Sequence, residues 1–452
     1  MRRFEFSDGK SNKFWEIDLE GDSFTVRYGR IGTDGQSSTK TYRSPEEASK
    51  QADKLIASKT KKGYAEVEAT AAAAPKSGNP ELERAIHDNP DDLDAWAVYG
   101  DWLQEQGDPR GELVSLEVLA ARGQDNDASA KRREQLFATH RDAWVGPVLA
   151  KALTVDNDEA TIEAEWKFGF LHSVRMASHW DAEGPTVPEM LRAMLKVESA
   201  KFLHKLAFGV TDLEGDTDFD EVMLPLSKVG KLPSLRHLTV GDYDYEDQEI
   251  TWVVVGNVGR LWPVLPNLEY LKVRGSAVEL GTVEHPKLQQ LVIETAGLTK
   301  DAARSLSAAK LPALTSLEAW IGEDYRSEEH GEHSEIEDFR PLLAGEATPA
   351  LTHLGLKNAD FEDDIAVALC TAPIVKQLRT LDLSMGTMAE VGARALVENA
   401  AHFKHLDRID LDENAIDDPE VQALTAAFGE RVNIGDQEPS DDPEDRYVSV
   451  SE

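Results

Sequence analysis

The sequence predicts a multidomain chain of mixed α+β and α/β class: a small antiparallel sheet with one helix, a short helical domain, then a long stack of strand-and-helix units with parallel strands and outer helices. Three observations carry this. Short apolar-polar alternations punctuated by glycines fill the first segment, and a helical pattern follows a Pro/Gly/Ala-rich linker. A Leu-x-x-Leu-x-Leu-like unit then begins nine times, at Leu171, Leu203, Leu235, Leu268, Leu288, Leu314, Leu351, Leu378 and Leu406, with intervals of 20–37 residues. Recurrence at that period is the mark of stacked units that bury a common core.

In residues 1–66, Phe4 and Phe6, then Phe14-Trp15-Glu16-Ile17, then Phe24-Thr25-Val26-Arg27-Tyr28 read as strands, with Gly9, Gly21, Gly29, Gly32 and Gly35 at or beside the turns. Ser44-Pro45-Glu46-Glu47 is a helix start, and Ala48, Ala52, Leu55 and Ile56 give the following helix an apolar face. Residues 67–79 form a linker. Residues 80–150 form a helical domain that buries Trp96, Tyr99, Trp102 and Leu103. Residues 151–435 hold the repeats, whose stacking makes a solenoid with a concave strand face and a convex helix face. Residues 436–452, with Glu438-Pro439-Ser440-Asp441-Asp442-Pro443-Glu444-Asp445, have too few apolar groups to order themselves and form an acidic tail expected to be disordered.

Composition excludes several classes. The formal charge is −36, which repels polyanions, yet residues 1–64 hold 13 Lys/Arg against 10 Asp/Glu, so the first segment alone is mildly basic. No window reaches the roughly 18 apolar residues of a membrane span. The opening Met1-Arg2-Arg3 lacks the apolar run of a signal peptide, and the single cysteine, Cys370, rules out a disulfide framework or a Cys-based zinc site. A cytoplasmic location is expected. No nucleophile is paired with a base, and the glycines of the first segment lack phosphate-loop spacing, so the expectation is a protein that is not an enzyme and needs no cofactor.

The run from Asn12-Lys13-Phe14-Trp15-Glu16-Ile17 through Arg27-Tyr28-Gly29-Arg30-Ile31-Gly32-Thr33-Asp34-Gly35-Gln36 to Lys62-Gly63-Tyr64 resembles the WGR domain, a module known in poly(ADP-ribose) polymerases and in many bacterial proteins. In the polymerase examples the tripeptide Trp and Arg contact the end of a broken DNA strand. Tyr28 and Arg30 stand in those places, so the resemblance implies a DNA contact made with a tyrosine face and a guanidinium. The stretch from Asn89-Pro90-Asp91-Asp92 to Asp108-Pro109-Arg110 resembles the bacterial repeat-companion domain that precedes leucine-rich repeats. Leu378-Arg379-Thr380-Leu381-Asp382-Leu383 with Gly392-Ala393-Arg394-Ala395-Leu396 looks like a ribonuclease-inhibitor type of leucine-rich repeat, although the asparagine usual after the strand stands only at Asn414.

Strand register places Tyr270, Lys272, Arg274, Trp320, His353, Lys357, Asp382, Arg408 and Asp410 on the concave face, and Trp, Tyr and Arg are the types that dominate binding hot spots. These are the expected protein-binding residues. Lys13, Tyr28, Arg30, Lys40, Lys61 and Lys62 are the nucleic-acid candidates. The alternating acids Asp212, Glu214, Asp216, Asp218 and Asp220 lack the Gly and bidentate Glu of a calcium loop, and Glu328-Glu329-His330-Gly331-Glu332-His333 lacks the spacing of a zinc motif, so no metal site is expected. The functional expectation is an adaptor or scaffold of a bacterial regulatory or defence system. Its solenoid captures a protein or peptide and its WGR module docks a second partner. The alternatives are a DNA-end sensor acting through that module, and a recognition subunit or cleaved substrate of a separate enzyme.

Overall fold

The computed structural model describes residues 2–7, 12–20, 23–30, 36–42, 44–67, 78–154, 161–180, 184–213, 217–323, 332–440 and 442–451. The chain falls into two compact units, Met1–Pro80 and Glu81–Glu452. The body of the expected linker lies outside the described residues.

The first unit is a five-stranded antiparallel sheet in the order β4-β3-β2-β1-β5, with β1 Arg2–Ser7, β2 Asn12–Glu20, β3 Ser23–Arg30, β4 Gln36–Thr41 and β5 Ala65–Val67. The helix α1, Pro45–Lys61, starts where Ser44 accepts the Glu47 amide and Pro45 presets the first turn. Its Ala52 joins Phe4, Trp15, Ile17 and Phe24 in one apolar cluster. Strand β2 is the middle strand, and its Phe14, Trp15, Glu16 and Ile17 are all buried rather than alternating.

The second unit opens with α2 Pro80–Asp88, α3 Leu93–Glu105, α4 Arg110–Ala121 and α5 Asp127–Ala152, the last interrupted where Gly146 takes φ 75° before Pro147. These helices do not stand apart as a domain of their own. Ile86, Trp96, Tyr99, Leu103, Val114 and Val118 form one cluster with Phe168, Phe170 and Phe202 of the sheet region, because the apolar face of α3 has no partner large enough within 80–150.

Beyond them the strands are β6 Ile162–Lys167, β7 Phe170–Met176, β8 Lys205–Phe208, β9 Thr217–Asp218, β10 His237–Val240, β11 Val253–Asn257, β12 Tyr270–Arg274, β13 Ser276–Glu279, β14 Gln290–Glu294, β15 Ser316–Gly322, β16 His353–Ala359, β17 Thr380–Asp382, β18 Arg408–Asp410 and β19 Val432–Asn433. Eleven of them make one sheet in the order β19-β18-β17-β16-β15-β14-β12-β10-β8-β7-β6, parallel except for the β6–β7 hairpin. The strands β9, β11 and β13 pair separately. Each recurring leucine sits in or two residues before a strand of the large sheet. The crossovers carry α6 Val187–Met194, α7 Asp220–Lys228, α8 Lys300–Ser307, α9 Ile336–Leu343, α10 Glu362–Leu369, α11 Glu390–Glu398, α12 Ala400–Phe403 and α13 Asp418–Phe428. Successive helices pack on one another: α6 on α7, α8 on α9, α10 on α11, and α11 on α13.

Register explains the core. Leu206, Leu238, Leu271, Leu291, Leu317, Leu354, Leu381 and Ile409 pair strand to strand in a single row, and none is more than 2% exposed. Each such side chain stabilises by about 1.5–3 kcal/mol on burial. A close approach fixes the turn after β15: Gly322 takes φ 75°, and a Cβ there would lie 1.7 Å from the Ala296 carbonyl oxygen.

The turns lack a continuous asparagine ladder, but its role is filled at the last two rungs. Asn414 accepts from the Met388 amide and donates to the Leu383 and Leu411 carbonyls. One rung on, Gln437 accepts from the Ile416 amide and donates to the Leu411 carbonyl. The acidic segment expected to be disordered is therefore corrected in its described residues: 436–440 and 442–451 make defined contacts, because backbone amides and two side-chain amides supply partners that its composition does not reveal.

No helix among the described residues is long and apolar enough to cross a membrane.

Candidate functional site

Two surfaces hold the residues singled out in the sequence, and each belongs to its own unit. In the second, strand pairing sets side chains of one parity into three rows across the large sheet. The first row runs Lys205, His237, Tyr270, Gln290, Ser316, His353, Thr380, Arg408, and the second runs Arg175, Ala207, Thr239, Lys272, Val292, Glu318, Gly355, Asp382, Asp410. The third includes the pairs Arg274 with Glu294 and Trp320 with Lys357. All nine expected protein-facing residues therefore lie on one face, opposite the leucine row.

These residues are not free cations and rings. Arg274 bonds Glu294 at 2.8 Å, and its guanidinium lies 5.2 Å from the Tyr243 ring and 5.4 Å from the Trp320 ring. Trp320 is half-buried against it. Lys272 reaches Glu294 at 2.8 Å, Lys357 reaches Asp382 at 3.2 Å, and Arg408 reaches Asp410 at 2.6 Å. His353 bonds Thr380 at 2.7 Å and lies 3.4 Å from Glu318. That neighbour holds the Glu318 carboxyl below its ordinary range. The cations of this face are thus paired with carboxylates of the same face. The Trp320 Nε1 and Arg274 Nε atoms are buried without a hydrogen-bond acceptor.

Sequence reasoning missed a column of rings beside Tyr270. His172 stacks on His204 at 5.1 Å, His204 meets His237 at 5.6 Å, and His237 stacks on Tyr270 at 5.8 Å. Burial lowers the affinity of all three imidazoles for a proton, and His204, which also feels His172 and His237, is pushed down to about 4. The column is neutral at pH 7. The signal was present as a histidine in or next to each of β7, β8 and β10.

In the first unit the backbone register sets Lys13 opposite Arg30 and Trp15 opposite Tyr28. The Lys59 ammonium sits 5.3 Å from the Trp15 ring and 5.0 Å from the Tyr64 ring. Burial first, then the charges of Lys62 and Lys13, hold the Lys59 amine below its ordinary range. Lys13, Lys40, Lys61 and Lys62 are exposed, and Tyr28 is 43% exposed. The side chain of Arg30 lies outside the described ones. Lys59 was not among the sequence candidates, although it lies on α1 two residues before Lys61.

A cavity of about 360 Å³ in the second unit is lined by aliphatic side chains with His87, Lys201 and Ser234. The His87 Nδ1 and the Ser234 hydroxyl are 2.6 Å apart, and Arg236 donates to the His87 carbonyl. The hydroxyl is thus tied to the imidazole. Of the acids in the calcium-like run, Glu214 and Asp216 lie outside the described residues, and Asp220 pairs with Arg260 at 2.6 Å. In the zinc-like run, residues 328–331 lie outside them, and His333 pairs with Asp360 at 3.2 Å. Among the described residues no group of three or more His, Cys, Asp or Glu is arranged to hold a metal ion.

Comparison with known proteins bears on the two units unequally. A Bacteroides fragilis protein of known crystal structure superposes with a TM-score of 0.53 over 100% of this chain and 99% of its own, at 24% identity, which is a likeness of fold. The Escherichia coli protein YfeS is 54% identical over 65 residues, and the Escherichia coli protein YehF is 42% identical over 66 residues. The matched parts are 14% and 15% of this chain, and they span only 27% and 24% of those relatives. Residues 1–71 match the WGR domain family, so the first unit carries a WGR domain.

Proposed function

We propose that this protein is a non-catalytic recognition protein whose second unit is a leucine-rich-repeat solenoid that captures a protein or peptide on its strand face. The observation that carries the reading is the alignment of nine consecutive strands, each introduced by the repeating leucine, which sets Tyr270, Arg274 and Trp320 among fixed polar side chains on the face opposite the aliphatic row. Rings and guanidinium held in place before binding lose little entropy on contact. In this reading the WGR module occupies residues 1–66 and the solenoid lies within 151–435, with the helices of 80–150 packed onto its first strands. The test is co-purification from cells: Tyr270→Ala and Lys357→Ala should lose the bound protein, while Val367→Ala, on α10, should retain it. Equal retention by all three would refute the reading.

A second reading concerns the WGR domain, favoured by the Lys59 ammonium beside the Trp15 and Tyr64 rings, with the charges of Lys62 and Lys13 acting on it. Cations beside ring faces suit a strand end, where phosphate and base are offered together. Fluorescence anisotropy of a nicked duplex at about 50 and 200 mM salt should show salt-steep binding that Lys13→Ala and Arg30→Ala weaken. No binding at low salt would leave this module as a protein dock.

A further inference from the structure

The segment Tyr447–Ser451 is held against the end of β16 and the loop that follows β17 in a manner unlike a loosely draped chain. The Asn358 side chain uses both ends of its amide on one residue: Nδ2 donates to the Val450 carbonyl at 2.7 Å, and Oδ1 accepts from the Val450 amide at 2.9 Å. The Ser449 amide donates to the Met385 carbonyl at 3.0 Å. Asn358 and Met385 both have positive φ, 56° and 70°, and they are tied into the sheet through the Ser384 and Asp412 carbonyls, which accept their amides. Exposure alternates along the segment: Tyr447 is 70% exposed, Val448 only 5%, and Ser449 is again exposed.

This is recognition of a peptide backbone plus one aliphatic side chain. An asparagine amide that pairs with the N–H and the C=O of the same residue reads main chain of any sequence, and the period-two burial is that of an extended strand with one face inward. We propose that Asn358 and Met385 form a docking site for an extended peptide with an aliphatic residue two positions before the one whose backbone Asn358 grips, and that residues 447–451 fill it in cis. A partner peptide of the same chemistry then competes with a built-in occupant. The site lies at the end of β16 and the loop after β17, not on the Tyr270–Trp320 face.

The test uses the full chain and a fluorescein-labelled peptide with the sequence Glu444–Ser451. Val448→Asp places a charge in the buried position and should release the segment. An intramolecular occupant at the millimolar effective concentration of a short tether should otherwise shield the site, so the labelled peptide should bind Val448→Asp at least about tenfold more tightly than the wild type. Asn358→Asp in the Val448→Asp chain keeps a residue that tolerates positive φ but sets a carboxylate against the Val450 carbonyl, and should abolish that gain. Should that double variant fold poorly, a labelled peptide with Val450→Pro, which lacks the N–H that Asn358 accepts, should not bind the Val448→Asp chain. Equal binding to wild type and Val448→Asp, no binding to Val448→Asp, or full binding of the Val450→Pro peptide would each overturn the proposal. The probe needs no external partner, so these failures leave the reading of the strand face untouched.

Discussion

Arg274→Met tests how the strand face is held together. The guanidinium makes a 2.8 Å bond to Glu294 and lies against the Tyr243 and Trp320 rings. Loss of a hydrogen bond to a charged group costs about 1.5–3 kcal/mol. Each ring contact contributes about 0.5–1 kcal/mol. Lys272 still pairs with Glu294 at 2.8 Å, which keeps that carboxylate from being stranded and places the loss at the lower end of the hydrogen-bond range. Together these give about 3 kcal/mol of local stability. Hydrogen exchange of the β12 and β14 amides measures the opening free energy of those strands directly. A loss near 3 kcal/mol there is expected. A change below about 1 kcal/mol would mean that Arg274 is not tied to its carboxylate and rings, and the argument that this face is organised before a partner arrives would fail.

Other consequences follow from the same contacts. Asn414→Ala should cost about 2–4 kcal/mol, since it strands the Met388 amide and the Leu383 carbonyl in the interior, and Gln437→Ala should cost less because Gln437 makes fewer such bonds; urea unfolding of the two variants checks the order. Gly322→Ala should prevent the turn after β15 from closing and lower the soluble yield sharply, because its methyl would overlap the Ala296 carbonyl. The histidine column sets a pH dependence. Its folded proton affinities lie below the ordinary 6.5, so the unfolded chain binds more protons as the pH falls; the contribution is complete above pH 6.5 and is lost toward about 4, where His204 titrates. His204→Gln should flatten the stability profile across that window, and a profile unchanged by the substitution would contradict the assignment.

Much of the architecture was legible because it rests on patterns that chemistry forces. A leucine every 20–37 residues marks strands that must pair in one register, and the alternation on either side of it fixes which side chains share a face. What the sequence could not show was pairing across repeats. Arg274, Lys272 and Lys357 read as available cations, but their carboxylates arrive from strands 20 to 25 residues further on. The helical stretch read as a domain because local periodicity is blind to Phe168, Phe170 and Phe202, which complete its core. The segment after Asp436 read as disordered because its composition is poor in apolar groups, whereas what holds it are main-chain bonds to Asn414, Asn358 and Met385.

The central claim is that the strand face, not the helix face, receives a partner. Its most direct test is site-specific photo-crosslinking in cells, with a photoreactive phenylalanine analogue placed in turn at Tyr270 and Thr239 on the strand face and at Val367 and Val391 on the helices. Adducts of one defined size at the two strand positions and none at the helical ones are the predicted result. Adducts at the helical positions alone, or equally at all four, would contradict it.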